Sequence, residues 1–528
     1  MPRNIVIVGA GINGLVAANY LKRSGYTVTL IEKKPSPGGA CAMESFTHNN
    51  MHYQYPSGAS VLGLMQDFVF KETGLSRKLQ TFVPESPKLA FFPNLERPTY
   101  IHRDPHDLDL ELRNKWGETG DAKAFRADES KIINFIQSGY KAGRTPSIDE
   151  ANSKLGKNMV DLWIKGDARS LMDHYFESDY SKIYMAMTVT ESGPVSLSDK
   201  YSAFTIPIMD SGSVFNGYYG FVYQGIWNLT QSLSEINMEL GVDTRLSSCL
   251  IDKDLDNKKV LVESAGQEEW IYFDDLIMAT DPLTAHSIIA DISPDQFFSE
   301  NKSIGSSGKI NLFFSKPIQW KDGVEHPDSD SAFRFIFSVD TIDAFETAAQ
   351  GILDDQAQYV PGFMQIYCEG AADRRIDPSI AYDRIAVFFK NLSLSSNGEE
   401  LSFVEDEVKQ ELFKYINNPE DCFWSKLSTP KDLKEMFYFP SGNIDQTMLT
   451  DRQMYFDRTF SSDPTENFYG FLDFDQIYYC GAAAYPCGSI AGTPGYMCSQ
   501  QIIRKYILTI KKYDKKKSFF KFNQFSVQ

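Results

Sequence analysis

The sequence has few of the residues that build metal sites or disulfide frameworks. It contains seven cysteines and seven histidines among 528 residues. An odd number of cysteines without C-x-x-C spacing predicts neither a zinc ribbon nor a secreted disulfide framework, so we expect reduced thiols. Cys480, Cys487 and Cys498 lie close in sequence, but no nearby histidine or carboxylate would complete a ligand set. We therefore expect no metal site.

Basic residues and long apolar runs are also scarce. Lys and Arg number 52 against 70 Asp and Glu, which gives a net charge of −18. A surface that binds nucleic acid would have to form against this field, so we expect no nucleic-acid partner. No apolar run reaches the roughly 18 residues that a membrane-spanning helix needs. These absences predict a cytoplasmic protein.

The exception to the acidic balance lies near the end of the chain. Residues 504–522 contain eight Lys or Arg residues and a single acid, Asp514, interleaved with Phe519, Phe520 and Phe522. Such a segment is able to hold an anionic membrane surface, with the rings at headgroup level. The alternative is a solvated, frayed terminus. We predict a basic-aromatic tail over 511–528 and keep peripheral membrane contact as a hypothesis.

What the sequence does contain is a glycine-rich turn after a buried strand. The segment NIVIV at 4–8 predicts a parallel strand, and it runs into Gly9, Gly11 and Gly14 at the spacing G-x-G-x-x-G. Gly9 permits the tight turn, Gly11 lets a pyrophosphate approach the backbone, and Gly14 lets the following helix pack on the sheet. The positive end of that helix favours an anion. The pattern predicts a dinucleotide site.

Two features beyond this turn favour FAD over NAD. The strand TVTLIEKK ends at Glu32, whose carboxylate is placed to accept the ribose hydroxyls. Gly38 and Gly39 follow directly, which is typical of flavoproteins, whereas an NAD domain usually continues into another helix. Near the other end of the chain, a glycine-rich segment precedes a helix predicted to begin near Thr493. A second helix N-terminus would stabilise the negative charge of a reduced flavin.

The remaining segments predict a second lobe of α+β type. DESKIINFIQSGYKAG and KNMVDLWIKGDARSLMDHYFE have helical spacing, and KINLFFSKPI, FRFIFSV, FMQIYCE and RIAVFFKNLSL alternate as in an antiparallel sheet. We predict an α/β protein with a Rossmann-type FAD-binding lobe and an inserted substrate lobe. The predicted FAD-binding domain is discontinuous, over 1–75, 221–300 and 446–510, and the predicted substrate domain covers 76–220 and 301–445.

Three motifs together resemble the phytoene desaturase group of FAD-dependent oxidoreductases. They are GAGINGLVAANYLKRSGYTVTLIEKKPSPGGACA, LIMATDP and CGAAAYPCGSIAGTPGY. Within this group the sequence is most similar to the pyridine nucleotide-disulfide oxidoreductase domain-containing branch, through TPKDLKEMFYFPSGNI and EGAADRRIDPSIAYDR. The likeness runs from about residue 4 to 505 and is most specific at the two ends.

The resemblance implies a two-lobed flavoenzyme with FAD extended across the Rossmann lobe. It places pyrophosphate at the glycine turn, ribose at Glu32, adenine at the backbone of Leu250, and the flavin pyrimidine beside Ile490 and Gly492. The predicted cofactor-binding residues are Gly9, Gly11, Ile12, Gly14, Glu32, Lys33, Gly38, Gly39, Leu250, Gly481, Ala482, Ile490 and Gly492.

The chain departs from its relatives where a proton acceptor would be sought. Relatives often have Gly-Asp where this chain has Gly481-Ala482. They have a histidine in place of Tyr485, and tend to have one in place of Asp445. Tyrosine, with a reference pKa near 10, does not ordinarily exchange protons at neutral pH. We name Tyr485 first and Asp445 second as catalytic candidates.

His52 and Asp281 are further candidates for the proton acceptor, and a packing role for Tyr485 is the alternative.

The resemblance implies hydride transfer from a substrate C–H to flavin N5, which leaves a new double bond. An apolar or conjugated small-molecule substrate is expected by analogy. Alternatives are a redox-neutral FAD-dependent isomerase and a non-catalytic, FAD-stabilised interaction protein. A flavin amine oxidase is disfavoured, because the terminal motif lacks the usual arrangement around a flavin-side lysine. The electron acceptor and the oligomeric state stay open.

Overall fold

The computed structural model describes residues 2–322, 326–354, 360–394 and 398–524, and the side chains of these residues except at 398–400 and 509–524. The strands are β1 Asn4–Val8, β2 Thr27–Ile31, β3 Met43–His48, β4 Met51–Pro56, β5 Thr81–Phe82, β6 Lys88–Phe91, β7 Thr99–Ile101, β8 Phe221–Val222, β9 Asp243–Arg245, β10 Ser248–Asp254, β11 Lys259–Ser264, β12 Gln267–Tyr272, β13 Asp275–Met278, β14 Gly308–Phe314, β15 Arg334–Phe337, β16 Phe363–Tyr367, β17 Asp383–Phe389, β18 Cys422–Ser428, β19 Gly470–Phe471 and β20 Phe474–Tyr479.

The helices are α1 Ile12–Arg23, α2 Asp67–Glu72, α3 Leu75–Lys78, α4 Pro105–Trp116, α5 Ala122–Ala142, α6 Ile148–Leu155, α7 Lys157–Met159, α8 Ala168–Tyr175, α9 Asp179–Ala186, α10 Ser202–Met209, α11 Trp227–Glu239, α12 Pro282–Ala290, α13 Pro294–Glu300, α14 Ile342–Gln350, α15 Glu369–Ile376, α16 Gly398–Phe413, α17 Pro430–Phe437, α18 Pro464–Asn467 and α19 Thr493–Gln524.

The first lobe is built on a sheet in the order β19-β20-β13-β1-β2-β9. The pairs from β20 to β9 are all parallel, and β19 adds an antiparallel edge. Residues 5–8 of the central β1 are buried, as expected in the middle of a parallel sheet that is covered on both faces. In open sheets of this kind, ligands bind beyond the carboxyl ends of the strands, at the point where the strand order reverses. That point lies just after β1.

The second lobe contains a seven-stranded sheet in the order β18-β14-β17-β16-β15-β6-β7. It is antiparallel apart from the parallel pair of β15 and β6. Every residue of β14 is buried, since both of its faces are covered. Helices α4 to α10 belong to the same stretch of chain as β6 and the edge strand β7. The antiparallel sheet predicted from the alternating segments is confirmed.

The predicted fold class, a Rossmann-type lobe with an inserted α+β lobe, is also confirmed. All strands of the first sheet lie within the ranges predicted for the FAD-binding domain, and all strands of the seven-stranded sheet lie within the predicted substrate domain. The domain boundaries themselves stay a prediction. The side chains of the predicted tail over 511–528 lie outside the described residues. Among the described helices, none is both long and apolar enough to cross a membrane.

A buried arginine joins the C-terminal segment to the loop that precedes it. Arg458 is 1% exposed. Its Nη2 donates to the carbonyl oxygens of Asp445 at 3.0 Å and Ala482 at 3.1 Å. Its Nη1 donates to Thr447 Oγ1 at 3.0 Å and to the carbonyl oxygen of Gln453 at 3.1 Å. One side chain therefore holds several loop carbonyls that would otherwise be buried without a donor.

We expect Arg458→Met to lower the free energy of unfolding by about 3 kcal/mol, because several buried carbonyls lose their donors. Urea denaturation followed by circular dichroism measures this change. The control is Arg452→Met, which alters an exposed arginine of the same loop and should change stability little. Equal stability of the two variants would contradict the role assigned to Arg458.

Candidate functional site

A cavity between the two lobes collects residues from both ends of the chain. Its wall on the first lobe includes the turn after β1, the end of β2, and the Gly38–Cys41 segment. The opposite wall comes from the second lobe, and Ala482 and residues 488–490 contribute from the segment before α19. The predicted cofactor residues that line the cavity are Gly9, Gly11, Ile12, Glu32, Lys33, Gly38, Gly39, Leu250, Ala482 and Ile490.

The turn after β1 makes close backbone contacts with the strand end at Ala279 and with the second glycine pair, Gly38 and Gly39. Gly9 has a φ of +107°, and a Cβ there would lie 2.9 Å from the carbonyl oxygen of Ala279. Gly38 donates from its N–H to the carbonyl oxygen of Ala10 at 3.0 Å, so the second glycine pair returns to the turn. At Gly11 a Cβ would meet only Gly39 Cα, at 3.9 Å. Gly11 is thus open toward the cavity, which suits the approach of a pyrophosphate.

The carboxylate of Glu32 is held in place by backbone groups. Its Oε2 accepts from the N–H of Ala10 at 2.7 Å, and its Oε1 accepts from the N–H of Lys34 at 2.9 Å. A carboxylate oxygen has two acceptor positions, so each oxygen still has one for a ligand donor. Ser248, whose N–H donates to the carbonyl oxygen of Glu32 at 2.9 Å, brings the nearby Leu250 to the same part of the cavity. This arrangement fits an adenosine ribose.

Aromatic residues cover this part of the cavity. Phe437, Tyr438 and Phe439, here called the aromatic strap, line the cavity beside Glu32. Lys34 Nζ donates to the carbonyl oxygen of Met436 and lies 4.9 Å from the centre of the Phe437 ring. Lys33 Nζ lies 4.8 Å from the centre of the Tyr438 ring. The strap was not predicted as part of the site, although its segment was among the motifs that carried the resemblance.

The second lobe supplies an aromatic wall with one carboxylate. Tyr219, Tyr367 and Phe388 line the cavity together with Met209 and Glu191. Burial raises the pKa of Glu191, while the charge of Lys390 opposes this change. None of these wall residues was identified from the sequence, because no local motif distinguishes a cavity aromatic from a core aromatic. Their position follows from the packing of the two lobes.

Asp445 lies directly behind the cavity wall. Its neighbours Ile444 and Gln446 line the cavity, whereas Asp445 is 1% exposed. A Cβ on Gly488, another wall residue, would lie 3.0 Å from Asp445 Oδ1. Burial raises the pKa of Asp445, and the charge of Arg458 opposes this change. Asp445 therefore lies next to the predicted flavin segment without being among the residues that line the cavity.

Tyr485 and His52 lie farther from the ligand space. Tyr485 is fully buried and is not among the wall residues; its ring centre is 6.0 Å from those of Tyr140 and Tyr455. Burial raises the pKa of Tyr485 well above its usual value. His52 is exposed on β4, in the β3–β4 hairpin. A direct catalytic role for either residue stays a prediction that this geometry does not favour.

Asp281, in contrast, lies on the cavity wall. It caps α12 by accepting from the N–H of Thr284 at 2.8 Å, and burial raises its pKa. Asp281 was predicted as a proton acceptor only after Tyr485, but Asp281 lies on the cavity wall and Tyr485 does not.

Three predicted cofactor residues are placed behind the wall. A Cβ on Gly14 would overlap the carbonyl oxygen of Gly9, so Gly14 allows α1 to pack on the turn. Gly481 lies against the carbonyl oxygen of Thr280 in the same way. Gly492 has a φ of +63° and lies beside Val16 of α1. These glycines shape the backbone of the site rather than line it.

A buried lysine lies behind the wall at residues 58–61. Lys309 Nζ donates to the carbonyl oxygens of Pro56 and Gly58, at 2.5 and 2.7 Å, and lies 5.2 Å from the centre of the Phe388 ring. Burial lowers the pKa of Lys309 to about 7, and the charge of Glu369 opposes this change. Gly58 and Phe388 both line the cavity, so Lys309 ties together wall segments from the two lobes.

Comparison with known proteins agrees with this arrangement. The NAD(P)-binding Rossmann-like domain family matches residues 7–68. Pyridine nucleotide-disulfide oxidoreductase domain-containing protein 2 of Rattus norvegicus is 21% identical, over 94% of this chain and 93% of that protein. A 4,4'-diapophytoene desaturase of Staphylococcus aureus is 22% identical, over 94% of this chain and 97% of that protein. The predicted resemblance to the phytoene desaturase group is confirmed.

Solved structures with the same fold include two amine oxidases. Cyclohexylamine oxidase from Brevibacterium oxydans aligns with a TM-score of 0.60 at 13% identity, over 97% of this chain and all of the other. A putrescine oxidase aligns with a TM-score of 0.57 at 14% identity, over 96% of this chain and 99% of the other. At these identities the likeness concerns the fold alone. The similarities together support the predicted oxidoreductase class and the predicted FAD cofactor of this phytoene desaturase-like chain.

The contrast between Gly11 and Gly14 gives a direct test of the dinucleotide site. We expect Gly11→Val to abolish FAD retention while the protein still folds, because a Cβ at Gly11 meets no atom closer than 3.9 Å. We expect Gly14→Ala to destabilise the fold, because its Cβ would overlap the carbonyl oxygen of Gly9. Flavin content after desalting and the thermal unfolding midpoint measure the two effects. Normal flavin content in Gly11→Val would refute the assignment.

Proposed function

We propose that the protein is an FAD-dependent oxidoreductase of the desaturase or dehydrogenase type. The observation that carries this proposal is that the cavity is continuous from the glycine turn after β1 to residues 488–490 before α19. A site with a phosphate turn at one end and a wall from a second lobe at the other would bring a ligand held by that lobe beside the dinucleotide. When bound, FAD would supply hydride-acceptor chemistry at its ring.

The residues of the first lobe would bind and orient the cofactor. Gly11 and the N-terminus of α1 receive the pyrophosphate, because unpaired N–H groups and the helix dipole favour an anion there. Glu32 would accept from the ribose hydroxyls, and the aromatic strap would shield the adenosine from water. Gly488 and Ile490 would contact the ring portion. These roles are supported by the presence of all these residues on the cavity wall.

The second lobe would position the substrate and exclude water. Its wall of Met209, Tyr219, Tyr367 and Phe388 is mostly apolar, which supports an apolar or conjugated substrate. Placing a C–H bond against the cofactor ring requires orientation more than new chemistry from the protein. For the proton that accompanies desaturation, Asp281 and Glu191 are the acidic wall residues besides Glu32.

The first test is cofactor binding followed by reduction. We expect the purified protein, after incubation with FAD, to show the visible absorbance of oxidised flavin, and we expect a substrate to bleach it under anaerobic conditions. A panel of isoprenoid and long-chain alkyl compounds supplies the candidate substrates. Absence of flavin absorbance would contradict the proposal. Conversion of a substrate without net bleaching of the flavin would indicate a redox-neutral isomerase instead. Bound flavin whose absorbance no compound changes would favour a non-catalytic interaction protein.

The second test concerns the candidate proton acceptors. We expect Tyr485→Phe to retain FAD and to change the rate of flavin reduction less than about twofold, because its hydroxyl is buried away from the cavity. We expect Asp281→Asn, which keeps a side chain able to cap α12, to slow reduction by about tenfold or more. Stopped-flow absorbance measures both rates. A large rate loss in Tyr485→Phe would restore tyrosine as the acceptor.

A further inference from the structure

The acidic residues that line the cavity have different surroundings. Among the described wall residues these acids are Glu32, Asp281 and Glu191. Glu32 accepts two backbone N–H groups, and Asp281 caps α12. Glu191 lies instead on the wall of the second lobe, where its side chain is 22% exposed and borders the cavity. No role in cofactor binding accounts for a carboxylate at this position.

The polar groups around Glu191 leave part of its carboxylate without a donor. The amide of Gln365 lies close enough to lower the pKa of the carboxylate, against the effect of burial. Lys390 Nζ is 3.9 Å from Oε1, which is longer than a hydrogen bond but close enough to balance the charge. A carboxylate has about four acceptor positions, so these two neighbours do not fill them.

The tyrosine hydroxyl groups on the same wall do not fill the remaining acceptor positions of Glu191. Tyr219 donates its hydroxyl to the carbonyl oxygen of Met209 at 3.0 Å. Tyr367 donates its hydroxyl to Gln365 Oε1 at 3.0 Å. Both hydroxyl protons are therefore committed elsewhere. The acceptor positions of Glu191 that face the cavity are left to water or to a ligand.

We propose that Glu191 is a specificity-determining residue that receives a hydroxyl or amine of the substrate at the second-lobe end of the cavity. This inference rests on the proposed function and narrows its substrate class: an apolar molecule that carries at least one hydrogen-bond donor. The rings of Tyr219, Tyr367 and Phe388 cover its apolar part. A pure hydrocarbon is disfavoured, since it would displace water from a carboxylate without replacing the lost hydrogen bonds.

The test compares ligands that differ in the donor alone. Octan-1-ol and octylamine each carry a donor, whereas methyl octyl ether has a similar chain and no donor. We expect the FAD-loaded protein to bind the alcohol and the amine about 10- to 100-fold more tightly than the ether, as for a hydrogen bond to a charged group. Perturbation of the flavin spectrum or quenching of tryptophan fluorescence measures the dissociation constants.

Two variants assign the preference to Glu191. We expect Glu191→Leu to bind the alcohol and the ether with similar dissociation constants, and to bind the amine, a cation at neutral pH, no more tightly than the ether. We expect Glu191→Gln, which keeps the shape of the side chain, to lose the preference for the amine and to bind the ether more tightly, because its amide can donate. The control, Glu177→Leu, removes an exposed carboxylate of the same lobe and should keep the wild-type preference. Flavin content and circular dichroism report whether each variant is folded, and the Gln variant serves if the Leu variant is not.

The outcomes separate this inference from the proposed function. If the ether binds the wild type as tightly as the alcohol, or if Glu191→Leu keeps the preference, the inference is overturned while FAD binding stands. If the protein takes up no FAD, the proposed function fails; the same ligand comparison by tryptophan fluorescence on the FAD-free protein still decides whether Glu191 selects donors.

Discussion

The close approach of α1 and α19 is the contact on which the site depends. A Cβ on Gly495 would overlap the carbonyl oxygen of Asn13, so the two helices meet backbone to backbone at this point. Tyr20 and Tyr496 extend the contact with ring centres 4.8 Å apart. Because α19 begins at Thr493, this contact fixes the segment before it against the glycine turn after β1. Residues more than 470 positions apart thereby share one cavity.

The positive electrostatic potential that favours an anion in this cavity comes from backbone groups more than from basic side chains. The chain has a net charge of −18, yet the phosphate position at Gly11 lies at a helix N-terminus, where N–H groups supply the positive field. Lys33 and Lys34 face the rings of the aromatic strap. An acidic protein can therefore bind an anionic cofactor without a basic patch, because the field that matters is local.

The second lobe determines what can lie beside the cofactor. Its seven-stranded sheet presents Tyr367 and Phe388 from neighbouring strands. The end of α10 presents Met209, and the segments before and after that helix present Glu191 and Tyr219. This wall is mostly apolar, but it carries the carboxylate of Glu191, which has acceptor positions without a donor. A site built only for a hydrocarbon would not need such a group. Lys309 links that wall to the first lobe, because it donates to Pro56 and Gly58 while its charge lies near Phe388. The two lobes thus form one site.

The sequence by itself determined the elements whose signals are local. The apolar run of β1, the spacing of Gly9, Gly11 and Gly14, the acid at the end of β2 and the glycines before α19 are read within short windows, since each reflects a backbone requirement. Packing decided the rest. Tyr485 follows the glycine-rich segment yet lies buried behind the wall, while Glu191, Tyr219 and the aromatic strap line the cavity although no spacing marks them. Whether a side chain faces a ligand or a core depends on what the other lobe places opposite it, and that is set only when distant segments meet.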